Sequence, residues 1–186
     1  MKRIVLIFSF LCSVCMLKAQ IKVPDVDKSP LDMSYCPAGY PILKINGKAK
    51  VAPVARVIYS RSMKSNRQIF GGIVKYNAMW RLGANEATEI QFFRDVKIAG
   101  KKVIKGTYTM YCIPQENKWT IIFNKDLNTW GDFTYDIKKD VARADVAVQK
   151  LTESVEAFSM YFEDGTNTSN LIMAWDMVKV SLPISY

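Results

Sequence analysis

Arg61, Lys64, Arg67 and Arg81 fall within residues 61–89, a stretch whose acids are Glu86 and Glu89. Arginine presents a planar fork of donors that matches a carboxylate or phosphate. With Asn85 and the tryptophan of a later polar loop, Trp130, these cations and Glu86 form a candidate set for binding a small anionic or carbohydrate ligand. A second chemistry is available to Glu86. Paired with Asp126 or Asp132 it would supply the two acids that glycoside hydrolysis needs. The competing and favoured reading has Arg81 paired internally with Glu86 to pin the loop, since ionisable groups beside a buried tryptophan usually need partners.

Other constellations are weaker. Trp119, Trp130 and Trp175 with Tyr108 and Tyr111 suit a sugar-stacking platform, although aromatic rings at strand positions more often belong to a core. Asp126, Asn128 and Asp132 lack the ligand spacing of an EF-hand loop and read as a solvated turn. The chain has no histidine, which removes Ser-His-Asp and Cys-His catalysis and the commonest zinc sites. No metal and no cofactor are expected.

The elements that must position these residues are strands. Ala55–Ser60 alternates as a strand, and residues 90–95 and 96–99 continue in the same style. In 107–113, Tyr108, Met110 and Cys112 share one face while Thr107, Thr109 and Tyr111 take the other, the two-residue period of a strand. Trp119–Phe123, Val141–Val148 and Val155–Phe162 follow. In the last run, Leu171, Met173 and Trp175 are out of phase with Val178, Val180, Leu182 and Ile184, which predicts a bulge or a move between sheets near Asp176-Met177. About eight or nine mostly antiparallel strands at this spacing predict an all-β, single-domain β-sandwich or flattened barrel with an irregular 61–89 loop and very little helix.

Residues 1–19 read as a secretory signal: Lys2-Arg3, an uncharged apolar run from Ile4 to Leu17, then Ala19 at the cleavage position. The run is short of the ~20 residues a membrane span needs, so no stable span is expected after cleavage. Losing Lys2, Arg3 and Lys18 takes the formal charge from +9 to +6. The remaining cations are scattered rather than clustered, so nucleic acid is not an expected partner, and the oligomeric state is left open. Export to the periplasm or cell surface brings Cys36 and Cys112 into an oxidising compartment, where they either pair or persist as two buried thiols. Residues 20–40, with Pro24, Pro30 and Pro37, are expected to form an extended arm, and 41–186 the folded domain.

Phe70-Gly71-Gly72 followed by Trp80-Arg81-Leu82-Gly83-Ala84-Asn85-Glu86-Ala87-Thr88 resembles the signature of the DUF2911 family of exported bacterial proteins, common in Bacteroidetes. The resemblance runs from about Ser29 to the C-terminus and takes in Ile58-Tyr59-Ser60-Arg61, Gly106-Thr107-Tyr108, Trp119 to Lys125, Trp130-Gly131 and Ala174-Trp175. It implies a sandwich-like β domain without an assigned activity. The chain departs from the pattern at Ser62-Met63, where relatives often carry proline, and at Cys36 and Cys112, where tyrosine or alanine is expected; those departures favour a private disulfide. The functional expectation is a non-catalytic exported binding or accessory domain. A saccharide hydrolase using Glu86 as acid or base, and a structural envelope protein, stand as alternatives.

Overall fold

A computed structural model describes residues 21–186. The proposed export signal, 1–19, lies outside the described residues. The strands are β1 (Leu31–Cys36), β2 (Ala55–Ser60), β3 (Glu89–Phe92), β4 (Val96–Ile98), β5 (Lys101–Val103), β6 (Gly106–Pro114), β7 (Lys118–Asn124), β8 (Asp140–Asp164) and β9 (Thr168–Ser185). One short helix, α1 (Tyr40–Ile45), and a 3-10 turn, Ile137–Lys139, complete the described residues. Among those residues, no helix is long and apolar enough to cross a membrane.

The strands form two antiparallel sheets of 6 and 4 strands, without closing into a barrel, as an all-β sandwich. One sheet runs β1-β2-β3-β6-β7-β8 and the other β8-β9-β4-β5, so β8 belongs to both. Its first part pairs with β7 from Asp140 to Ala147. Its second part pairs with β9 from Val148 to Asp164, with register shifts on either side of Val155. Two separate strands were expected here. The run Gln149 to Ser154 looks like a break in sequence, yet the strand is continuous: its pairing passes from β7 to β9 between Ala147 and Val148 and shifts register between Lys150 and Val155.

The core lies between the sheets and follows the alternation. Val57 and Tyr59 of β2, Tyr108, Met110 and Cys112 of β6, Trp119, Ile121 and Phe123 of β7 are all buried in one cluster. From β9 come Leu171, Met173 and Trp175, then Val178, Val180, Leu182 and Ile184. The phase change between these two sets is a bulge: Asp176 adopts φ 53° and the register against β8 shifts around it. At ~25 cal/mol per Å² of apolar surface removed from water, this inter-sheet layer is the main source of stability.

Residues 31–36 of the expected extended arm form an edge strand that pairs with β2 along its full length, from Leu31 opposite Ser60 to Cys36 opposite Ala55. The disulfide is absent, since Cys36 and Cys112 are both free and buried. The Cys36 Sγ lies 3.1 Å from Ser169 Oγ at the start of β9, whereas Cys112 points into the aromatic core from the middle of β6. Burial pushes both thiols above the ordinary cysteine pKa.

Candidate functional site

The 61–89 segment connects β2 to β3 and is pinned at intervals. Leaving β2, it bridges to β8: the Phe158 amide donates to the Ser62 carbonyl at 2.8 Å, and the Lys64 amide to the Glu156 carbonyl at 2.7 Å. Ser65 and Asn66 then turn the chain with positive φ. Phe70-Gly71-Gly72 makes a second turn, and Gly72 is required sterically because a Cβ there would collide with the Gln68 carbonyl. Further on, Trp80 exchanges backbone hydrogen bonds of 2.8 Å with Cys112.

The stretch Trp80 to Thr88 ties itself into a fixed shape. The Trp80 indole donates to the Gly83 carbonyl at 3.1 Å and the Thr88 hydroxyl to the Leu82 carbonyl. Leu82 and Asn85 both hold positive φ, at 55° and 59°; for a leucine that conformation is costly and persists only where the surroundings enforce it. Beneath the loop the rings pack closely: Trp80 stacks on Trp175 at 6.1 Å and meets Trp119 edge-on at 5.7 Å and Phe158 at 5.2 Å. Trp80, Trp119 and Trp175 are therefore core, not a sugar platform.

The four cations separate. Arg61 reaches Asp32 at 3.3 Å and Ser159 Oγ at 3.0 Å. Lys64 pairs with Asp176 at 2.5 Å. Arg67 donates to the carbonyls of Met63 and Lys64 and lines a cavity of about 220 Å³ together with Arg81, Ser29, Ser62, Gly83 and Ala84 over a floor of Trp80 and Trp175. No acidic residue lines it. The expected Arg81–Glu86 ion pair does not form among the described residues; instead, Arg81 Nε is buried without a hydrogen-bond partner. Among the described residues, two other buried side-chain atoms of this region, Ser60 Oγ and Arg61 Nε, are also unpartnered, and the Ser60 backbone packs against Gly83.

A family model described as "Protein of unknown function (DUF2911)" matches residues 44–184. The chain belongs to the DUF2911 family. No curated protein and no solved structure matches it.

The DUF2911 signature thus builds one cavity and turns its end toward another. Leu82 and Asn85 swing the chain between Arg81 and Glu86, so the two side chains face different spaces. Glu86 is exposed and lines a cavity of about 150 Å³ with Glu89, Ala87, Asn128 and Thr129. Its backbone bridges to Trp130, and the Gly131 amide donates to the Asn85 carbonyl at 2.9 Å. Trp130 itself is 60% exposed. Glu89 accepts the Asn128 amide at 2.8 Å, and Asp126 pairs with Lys139 at 2.9 Å, so both acids hold the 124–132 loop. Among the described residues, no group of three His, Cys, Asp or Glu side chains suited to a metal ion occurs.

The proposed set Arg61, Lys64, Arg67, Arg81, Asn85, Glu86 and Trp130 is accordingly three structures. Arg61 and Lys64 fasten the segment to β1, β8 and β9. Arg67 and Arg81 share a cavity, while Asn85, Glu86 and Trp130 join the 124–132 loop. Sequence reasoning missed Ser29, Ser62 and Trp175 as cavity walls. Alternation carried past the end of β2 puts Ser60 and Ser62 in phase with outward-facing Arg56, so it gave no signal that both are buried.

Proposed function

We propose that this DUF2911 domain is an exported, non-catalytic binding module that holds a small anionic group in the Arg67–Arg81 cavity. The observation that carries the reading is the lining of the cavity: Arg81 and Arg67 share it with no acid, and Arg81 Nε is buried with no partner. An oxyanion seated against the two guanidinium groups would supply the negative charge that the lining lacks. Partial burial strengthens the attraction, because the effective dielectric falls well below that of water. At about 220 Å³ the cavity is smaller than the ~300–1,000 Å³ typical of drug-sized ligands, which points to a carboxylate or phosphate group with few further atoms. Ser29 and Ser62 are its hydroxyls, and no carboxylate, thiol or histidine stands beside them to act as a base. Export rests on the Lys2-Arg3, Ile4–Leu17 and Ala19 pattern.

Calorimetric titration of the purified protein with phosphate, acetate and succinate tests the binding. Saturable binding by at least one anion is expected, weakened ~10-fold or more in Arg81→Gln with the folded state intact by circular dichroism. Equal affinity in the variant, or no saturable binding at all, would overturn the reading. N-terminal sequencing of the protein from a periplasmic fraction should begin near Gln20; retention of Met1 in the cytoplasm would remove the export half.

Saccharide hydrolysis at Glu86 is the second reading, favoured by Glu86 and Glu89 lining one cavity beside exposed Trp130. It is served less well, since Glu89 is engaged by the Asn128 amide. Hydrolysis of an aryl glycoside that disappears in Glu86→Gln would restore it.

A further inference from the structure

A third arginine with a buried, unpartnered Nε stands on the outer face of the six-stranded sheet. Arg56 stands opposite Tyr35 of β1 and Gln91 of β3 in register. Its neighbours Ala55 and Val57 enter the core, so strand alternation sends Arg56 to the outer face. One guanidinium nitrogen donates to Gln91 Oε1 at 2.8 Å, while Nε is buried without a partner. Of the four such atoms among the described residues, this is the one outside the Ser60–Arg81 region.

The arginine opens into a cavity of about 500 Å³ whose walls include Tyr35, Tyr40, Lys44, Lys50, Arg56 and Phe93. The rings of Tyr35 and Tyr40 stack at 5.9 Å with 26° between their planes. The roof is α1 and the return loop after it: the Tyr40 hydroxyl donates to the Val51 carbonyl at 3.0 Å, and Leu43 receives the amides of Lys48 and Ala49. No side chain of α1 is buried. Three cations line this space and no acid does, an arrangement that repels itself unless a negative charge enters.

We infer that this cavity is a second binding site, for a small ring-bearing carboxylate. The carboxylate would meet the Arg56 fork, with Lys44 and Lys50 at the mouth. The ring would lie against Tyr35, Tyr40 and Phe93, whose faces accept sugar or aromatic rings. The volume, about 500 Å³, accommodates a six-membered ring with its substituents, and the aromatic walls that would receive the ring are Tyr35, Tyr40 and Phe93. The inference is independent of the preceding reading, because the two cavities share no lining residue.

The test is calorimetric titration of the purified protein with glucuronate, benzoate, glucose and acetate, accompanied by saturation-transfer NMR. Saturable binding of glucuronate or benzoate is expected, ~10-fold or more tighter than glucose or acetate. Which ring acid binds better decides between a sugar acid and an aromatic acid. Arg56→Gln and Lys50→Gln should each weaken the ring acid, and Arg81→Gln should leave it unchanged. Lys50 is exposed, so its variant keeps the test intact if Arg56→Gln fails to fold. Acetate binding as tightly as the ring acids would overturn the inference. So would full affinity in Lys50→Gln, loss in Arg81→Gln, or no saturable binding.

Discussion

Arg81 and Arg56 each keep a buried nitrogen without a partner, yet the ground beneath them differs. Arg81 shares its cavity with Trp80 and Trp175, members of a close-packed aromatic cluster, with a loop that ties down its own carbonyls. Arg56 rests on the outer face of a sheet, under a helix that buries no side chain. The contrast teaches that the same unpaired donor can be held in two ways. In one place the core enforces a fixed geometry. In the other a light roof leaves the walls free to adjust, which suits a larger ligand.

The largest expected effect tests the floor of the first cavity. Trp80→Ala removes a ring that meets four other aromatic side chains and should cost about 3–5 kcal/mol in urea denaturation. Tyr40→Ala in the roof of the second should cost under ~1 kcal/mol in the same series. Comparable losses from the two would dissolve the contrast.

Arg81→Met offers a sharper version. It replaces an unpaired buried donor by an apolar side chain of similar reach, so thermal stability should rise by up to ~1 kcal/mol while anion binding is lost. A destabilised variant would mean that the guanidinium already has its partners. Conversely, an anion at a hundred times its dissociation constant should stabilise the wild type by about 2.7 kcal/mol, readable as an upward shift in the melting temperature.

Tyr135 supplies a reference outside both cavities. Burial, with the Asp140 carboxylate accepting its hydroxyl proton, pushes its pKa from 10.0 to about 12. The folded state thus binds the phenolic proton more tightly than the unfolded one. Its contribution is complete below pH 10.0 and is lost as pH rises through about 12. Tyr135→Phe should flatten the alkaline fall in stability over that window, and an unchanged fall would assign it to other groups.

The smallest effect concerns the roof and the thiols. Ile45, 84% exposed, should accept lysine within ~0.5 kcal/mol. Alkylation of the native protein should leave Cys36 and Cys112 largely unmodified, and alkylation after denaturation without reductant should modify both. A mass change on reduction would show a disulfide.

Much of this architecture was legible in residue order because burial imposes a two-residue period. Tyr108, Met110 and Cys112 share a face as expected, and of the two readings of the phase change near Asp176, a bulge or a move between sheets, the bulge is the one present. The expected single domain with an irregular 61–89 segment also stands as described. β1 escaped notice because an edge strand flanked by Pro30 and Pro37 buries little besides Cys36. The candidate site was harder to read for a different reason. Side-chain type reveals that Arg61 and Lys64 need partners, but those partners, Asp32, Ser159 and Asp176, arrive from distant strands. Nor does residue type reveal that Leu82 takes positive φ, the turn that parts Arg81 from Glu86.

β8 carries one more consequence. Because a single continuous strand is the last member of one sheet and the first of the other, neither layer can open without fraying its own edge into its neighbour. The domain should therefore exchange its slowest amide protons in both sheets at a common rate, behaving as one folding unit hinged on a shared seam.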